Sequence, residues 1–275
     1  MAITYYMLQM PPFLLFVLIV FFSALFTTVC TYVFRKYVRL NILRSHNEVT
    51  GFLYLSIASF YALLLSFVML LVWEQYNEAH SNMSKEGSSA MNLYQDIKHY
   101  PDTVESKKLM TVYLNFVYNV VDEEFPSMEM MKQSRKTPES FNKVFYVMEH
   151  LNPKTPFQIQ LVSQMFSHLS ELSMYRGLRT SSIDAEIPSP IWLPIIFGAL
   201  ITFLCSLLLD IEHSKMHILL NAMLGVFVGA FIFIIILLDH PFTGELGVEP
   251  KLYKQIFTLE QWATESPVSN TIIIK

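Results

Sequence analysis

Residues 50–73 read TGFLYLSIASFYALLLSFVMLLVW, with no acidic side chain, basic side chain or histidine among them. A helix rises about 1.5 Å per residue and a bilayer's hydrocarbon core is about 30 Å thick, so about 20 apolar residues suffice to cross it. In lipid an unpaired backbone amide costs several kcal/mol, which favours a helix over an open strand. The stretch therefore reads as a transmembrane helix. Three more runs of the same kind flank it, at residues 12–34, 191–209 and 218–238. The chain reads as an all-α, four-span membrane protein, with a long segment between spans two and three.

Composition agrees. Hydrophobic residues make up 53% of the 275, more than soluble domains usually carry. The net charge of −4 argues against a nucleic-acid partner. Both cysteines, Cys30 and Cys205, fall inside spans, which supports neither a disulfide framework nor a cysteine-based metal site. Residues 1–11 carry no Lys or Arg, unlike the basic start of a cleavable signal, and the basic cluster Arg35, Lys36, Arg39 and Arg44 follows the first span instead.

Short loops vote on orientation. The first connection holds those four basic residues, and the turn between spans three and four holds only Lys215. The expectation is a multi-pass membrane protein with both connections cytoplasmic. The middle segment and both termini are then non-cytoplasmic. The expected divisions are residues 1–76 for spans one and two, 77–187 for an extramembrane helical domain, 188–240 for spans three and four, and 241–275 for a C-terminal tail.

Apolar spacing in the middle segment is helical. Met91, Tyr94 and Ile97 suggest one helix, and Leu109, Tyr113, Phe116 and Val120 a second. Phe141, Val144 and Met148 suggest a third, and Ile159, Val162, Phe166 and Leu169 a fourth. Tyr100-Pro101, Phe125-Pro126, Asn152-Pro153 and Pro156 punctuate them. Asp102 suits the start of the second, and Thr137-Pro138 resembles a cap followed by proline at the first helical position.

Wound at about 100° per residue, Glu48, Phe52, Ser56, Ser59, Leu63, Ser66, Leu70 and Trp73 share one face of the second span. Two readings stay open: a pore or cavity wall, or a helix–helix contact in which small residues permit close approach. Asn221, Gly225 and Gly229 in the fourth span read as a contact motif of that kind. Ionisable groups at mid-span, which ion-coupled transporters usually carry, are absent. His213 and His217 have no convincing third ligand, and Asp122-Glu123-Glu124 lacks EF-hand spacing and reads as a solvated acidic turn. No metal or cofactor is expected. The motifs of hydrolases, metalloproteases, P-loop enzymes and dinucleotide-binding enzymes are missing, so no enzyme is expected.

Several residues taken together carry a resemblance. His46 to Phe52 lead into the second span, Tyr61 to Leu64 lie within it, and Trp73 to Tyr76 end it. Asn92 to Tyr94, Arg176, Arg179, Pro188 to Trp192, and Asp239 to Gly244 follow in order. The series resembles the bacterial bestrophin-like family of membrane proteins. Bestrophins are pentameric anion channels with four spans per subunit, the second lining the pore. The resemblance implies an oligomeric ion channel, tetramer or pentamer, more anion- than cation-conducting. Its partners are the lipid bilayer, copies of itself and an inorganic ion. Phe52, Ser56, Ser59, Phe60, Ser66 and Phe67 become pore-lining candidates, with the phenylalanines as a constriction that gates by dewetting. Glu48, Glu74, Arg176 and Arg179 are candidates for a pore mouth or for ion pairs, the arginines with Glu74 or Glu78. The alternative is a non-conducting membrane sensor or scaffold whose extramembrane bundle binds a partner.

Overall fold

The computed structural model describes residues 7–38, 44–132, 134, 136–184, 187–245 and 247–265. Arg39 and residues 266–275, which entered the charge and tail expectations, lie outside the described residues. The helices in chain order are α1 (Pro12–Tyr37), α2 (Arg44–Lys98), α3 (Thr103–Asn119), a π turn (Val120–Glu124), α4 (Phe125–Glu129), α5 (Lys136–Glu149), α6 (Pro156–Ser181), a 3₁₀ turn (Ser182–Asp184), α7 (Ser189–Leu207), α8 (Ser214–Leu238) and α9 (Lys251–Glu265). There is no strand among the described residues. Four of these helices, α1, α2, α7 and α8, are long and apolar enough to cross a membrane. The protein is an all-α, four-span membrane protein with a helical bundle between spans two and three.

The chain forms two compact units, residues 1–77 with 185–246 and residues 78–184 with 247–275. In the first, α1 and α8 run antiparallel in close contact. Ser23 Oγ donates to the Gly225 carbonyl (2.7 Å), and Asn221 Nδ2 donates to Thr31 Oγ1 (3.0 Å). A Cβ on Gly225 would collide with Thr27 Oγ1, and one on Gly229 would lie 2.9 Å from Ser23 Cβ. The contact motif of the fourth span meets a stripe of small hydroxyl residues on the first. Lipid tails are as apolar as leucine, so close approach and hydrogen bonding replace hydrophobic burial as the cohesive force. On α2, Tyr61, Leu65, Val68 and Val72 recur every three or four residues and cluster with Ile187, Ile195 and Ile235.

The second unit has a soluble-type core. Leu93, Tyr94, Ile97, Leu109, Tyr113, Phe116, Val144, Met165, Leu169 and Tyr253 are all fully buried. Asp102 caps α3, its carboxylate accepting from the amides of Val104 (3.0 Å) and Glu105 (3.2 Å). At α6, Thr155 and Gln158 form a reciprocal capping box ahead of the apolar run.

Three features differ from the sequence expectation. The helix suggested by Met91, Tyr94 and Ile97 is no separate element: α2 runs unbroken for 55 residues, because nothing from 44 to 98 is a proline. Thr137 is not a cap. It is buried inside α5, with its hydroxyl 3.4 Å from the Asn119 carbonyl. Residues 241–275 are not merely a tail, since Lys251–Glu265 form α9, with Tyr253 and Ile256 fully buried in the second unit. Leu252, Tyr253, Ile256, Phe257 and Leu259 recur at helical spacing, but the polar residues of the other face keep the stretch's mean hydropathy low, which hid the helix from a reading by hydropathy.

Candidate conduit face and buried ion-pair cluster

The stripe on α2 lies about 180° around the helix from the Tyr61–Val72 packing face. The first unit therefore buries one side of α2 and leaves the stripe uncovered. Phe52, Ser59, Phe60, Leu63, Ser66, Phe67 and Leu70 are exposed, and Ser56 is half-buried. The hydroxyls of Ser56, Ser59 and Ser66 donate to the carbonyls of Phe52 (3.0 Å), Leu55 (2.7 Å) and Ala62 (2.8 Å). Bonding back to the preceding turn lets a serine sit in an apolar helix without an unpaired donor. The face that results is weakly polar, rimmed by phenylalanine and free of fixed charge. Glu48 and Glu74, toward its two ends, are exposed.

One end of the first unit is held by polar contacts that the sequence reading did not single out. Arg35 Nη2 donates to the Ile211 carbonyl (2.8 Å), and Nη1 lies 3.1 Å from His217 Nδ1. His217 Nε2 lies 2.9 Å from the Ser206 carbonyl. A guanidinium only donates, so Nδ1 is the acceptor and Nε2 carries the proton toward Ser206. His217 is thus engaged on both nitrogens, against the metal-pair reading of His213 and His217. Asn47, inside the segment that leads into the second span, exchanges two hydrogen bonds with the backbone of Asp210 (2.9 and 3.2 Å). At the far end, the Ile187 amide donates to Asp239 Oδ1 (2.7 Å), and Gly244 adopts φ +81°, with the Leu8 carbonyl where a Cβ would stand. These contacts give Asn47, Asp239 and Gly244 physical roles as fasteners.

Arg176 and Arg179 pair with neither Glu74 nor Glu78. Because α2 continues past the second span, it brings Glu86 to Arg179, and Glu124 serves both arginines. Arg179 is fully buried: its Nε and Nη2 bond the two oxygens of Glu86 (2.6 and 3.0 Å), and Nη2 also reaches Glu124 Oε1 (2.6 Å). Arg176 Nη2 bonds Glu124 Oε2 (2.8 Å), and Tyr253 on α9 donates to Glu86 Oε1 (2.8 Å). Two cations face two anions, so the cluster is neutral overall. Burial alone would raise the Glu124 carboxyl, but the guanidinium groups of Arg179 and Arg176 outweigh it and hold it below the usual carboxylate range. Burial, reinforced by Glu86, pushes the Tyr253 phenol well up. Arg179 therefore presents no charge to solvent. Glu86 was legible only as an acid inside an apolar helical stripe (Ala79, Met83, Ala90, Leu93), and Tyr253 lay in the presumed tail.

The architecture is that of a four-span helical membrane protein with an uncovered face on its second span. A family model described as the Bestrophin-like domain matches residues 21–253. The chain belongs to the bestrophin-like family. A solved structure of a bacterial bestrophin homologue from Klebsiella pneumoniae, phased on zinc, matches with a TM-score of 0.64 at 12% identity, covering 91% of this chain and 99% of that one. A single-substitution variant of that homologue matches with the same values. A crystal structure described only as a membrane protein matches with a TM-score of 0.64 at 11% identity, over 91% of this chain and 99% of that one. No curated protein matches the chain.

Proposed function

We propose that the chain is one subunit of an oligomeric ion channel in which the exposed face of α2 lines the conduit. The carrying observation is the opposition of two faces on one helix: Tyr61, Leu65, Val68 and Val72 are buried by the chain's own helices, while Phe52, Ser59, Ser66 and Phe67 are left uncovered. Membership in the bestrophin-like family supports a channel-type membrane protein rather than an enzyme. Closing a ring of four or five copies would bring the uncovered faces together around an axis. In that arrangement residues 78–184 form the extramembrane domain. The basic first connection faces the cytoplasm of an inner membrane, with that domain on the other side.

Anions are the favoured cargo. Residues 50–73 hold no carboxylate, and Arg35 and Lys36 follow the first span. A constriction of phenylalanine rings passes an ion only if it sheds water, so weakly hydrated anions cross more easily than chloride. The test is efflux from liposomes holding the pure protein, with subunit count by native mass spectrometry. The expected result is a tetramer or pentamer that passes iodide faster than chloride and chloride faster than potassium, with Phe52→Ala raising the rate. Failure to pass any ion, or a monomer, overturns the channel and leaves the sensor or scaffold.

A further inference from the structure

The polar contacts at one end of the first unit converge on the turn between α7 and α8, residues 208–213. α1 reaches this turn through Arg35, which donates to the Ile211 carbonyl (2.8 Å). α2 reaches it through Asn47, which donates to the Asp210 carbonyl and accepts from the Asp210 amide. Beside it, His217 joins α8 to α7, with Nε2 2.9 Å from the Ser206 carbonyl. All four spans are tied at one junction, and a single imidazole sits within it. His217 is 2% exposed, and its Nδ1 lies 3.1 Å from Arg35 Nη1.

Only the neutral imidazole satisfies both contacts. Arg35 offers donors alone, so Nδ1 must accept, and Ser206 offers a carbonyl, so Nε2 must donate. A second proton turns Nδ1 into a donor facing a donor and sets two cations in contact. Rotation of the ring gives no escape, since it forfeits the bond to Ser206. The charged groups acting on His217 are Arg35, from α1, and Asp210, from the turn. Asp210 favours an imidazolium, but it is exposed and solvent weakens its pull, whereas Arg35 is half-buried and in direct contact. α7 carries no Asp, Glu, Lys, Arg or His, and Glu48 on α2, Glu212 in the turn, its last residue His213, and Lys215 on α8 are exposed. Histidine is the side chain that ordinarily changes charge between pH 5 and 8.

We propose that this junction is an acid-sensitive latch, in which a proton on His217 displaces Arg35 and releases the α7–α8 turn from α1. Arg35 and Asn47 hold neighbouring residues of that turn, Ile211 and Asp210, so the release also loosens the grip of Asn47 at the start of α2. The bistable element is the turn, and the charge on one buried ring biases it. The device is independent of conduction, because its opening is read in the turn itself.

The experiment is hydrogen–deuterium exchange of the full chain in detergent between pH 8 and pH 5, with rates corrected for the intrinsic effect of pH on amide exchange. The amides to follow are those of Leu209, Asp210 and Met216, bonded to Ser206, Asn47 and His213. Their protection is expected to fall by about tenfold or more on acidification, while the amides of α8 around Gly225 keep theirs. Glutamine can accept from Arg35 and donate to Ser206 but takes up no proton, so His217→Gln keeps the turn protected across the range. His213→Gln leaves the acid response intact, and Arg35→Met opens the turn at every pH. Protection that ignores pH in the unaltered chain, an acid response that survives His217→Gln or is lost in His213→Gln, or an Arg35→Met turn as protected as the original overturns the latch. The pH series on the unaltered chain needs no variant, so it stands even where a substitution fails to fold.

Discussion

The two stretches of α2 are held by opposite means. Up to Asn77, the helix buries Tyr61, Leu65, Val68 and Val72 against apolar neighbours, and its polar hydroxyls at Ser56, Ser59 and Ser66 bond only to their own backbone. From Glu78 onward, the same helix buries a full charge: Glu86, with no exposed side-chain surface, accepts from Arg179 and from Tyr253. The difference reflects the surroundings each stretch meets. In lipid a buried carboxylate has no water to leave and few partners to find, so contacts rely on small residues and close backbones. In a water-facing bundle the desolvation of Glu86 is offset by a bidentate arginine, a phenol and a neutral charge balance.

The largest effect should come from breaking that balance. Arg179→Ala leaves two buried acids without their shared cation and should cost about 3–5 kcal/mol. The measurement is denaturant unfolding of the purified chain in detergent. An Arg179→Met, Glu86→Leu pair should recover part of the loss, because removing both partners leaves no orphaned charge. If the double variant is as unstable as the single one, the cluster matters through shape rather than charge.

Gly225→Leu attacks the other stretch's type of contact, at the α1–α8 crossing. The new side chain must displace Thr27 and the Ser23 backbone, a change worth about 1–3 kcal/mol by overpacking. Thermal aggregation in detergent reads it, and Gly225→Ala should fall between. A Gly225→Leu chain as stable as the original would mean that α1 and α8 part easily.

Acid should act on the second unit through Glu124. Its carboxyl is held below the usual carboxylate range in the folded chain, so its contribution is complete above the unfolded value of about 4.3 and is lost as pH falls through the folded value. The unfolding midpoint should therefore drop as pH falls below about 4, and Glu124→Gln should flatten that limb. An unchanged acid limb would assign it to other carboxylates.

The smallest effect expected is at the caps. Asp102→Ala removes acceptors for two amides at the start of α3 and should cost about 1 kcal/mol. Hydrogen exchange confined to that turn would sharpen the contrast with Arg179, whose loss should open the whole bundle.

The four spans, the capping signal at Asp102, and the contact motif at Asn221, Gly225 and Gly229 were legible because each depends on local composition or short spacing; the capping box at Thr155 was passed over in favour of Thr137, which lies inside α5. The stripe on α2 was equally legible as a pattern, since 100° per residue fixes which residues share a face. Its opposite face was not singled out, because tyrosine, leucine and valine look alike whether they meet lipid or a neighbouring helix. Arg176 and Arg179 stood out as a pair, yet their partners did not.

By itself the sequence determined that this protein crosses the membrane four times as helices. Hydrophobic length and the need to satisfy every backbone amide leave no other solution for such runs. It also carried the family likeness. Only the tertiary structure decided that α9 docks through Tyr253 and that Glu86 and Glu124, from different elements, close on Arg179. Those outcomes rest on contacts between residues 52 to 167 positions apart, and a buried charge finds its partner by geometry in space, which no local spacing encodes.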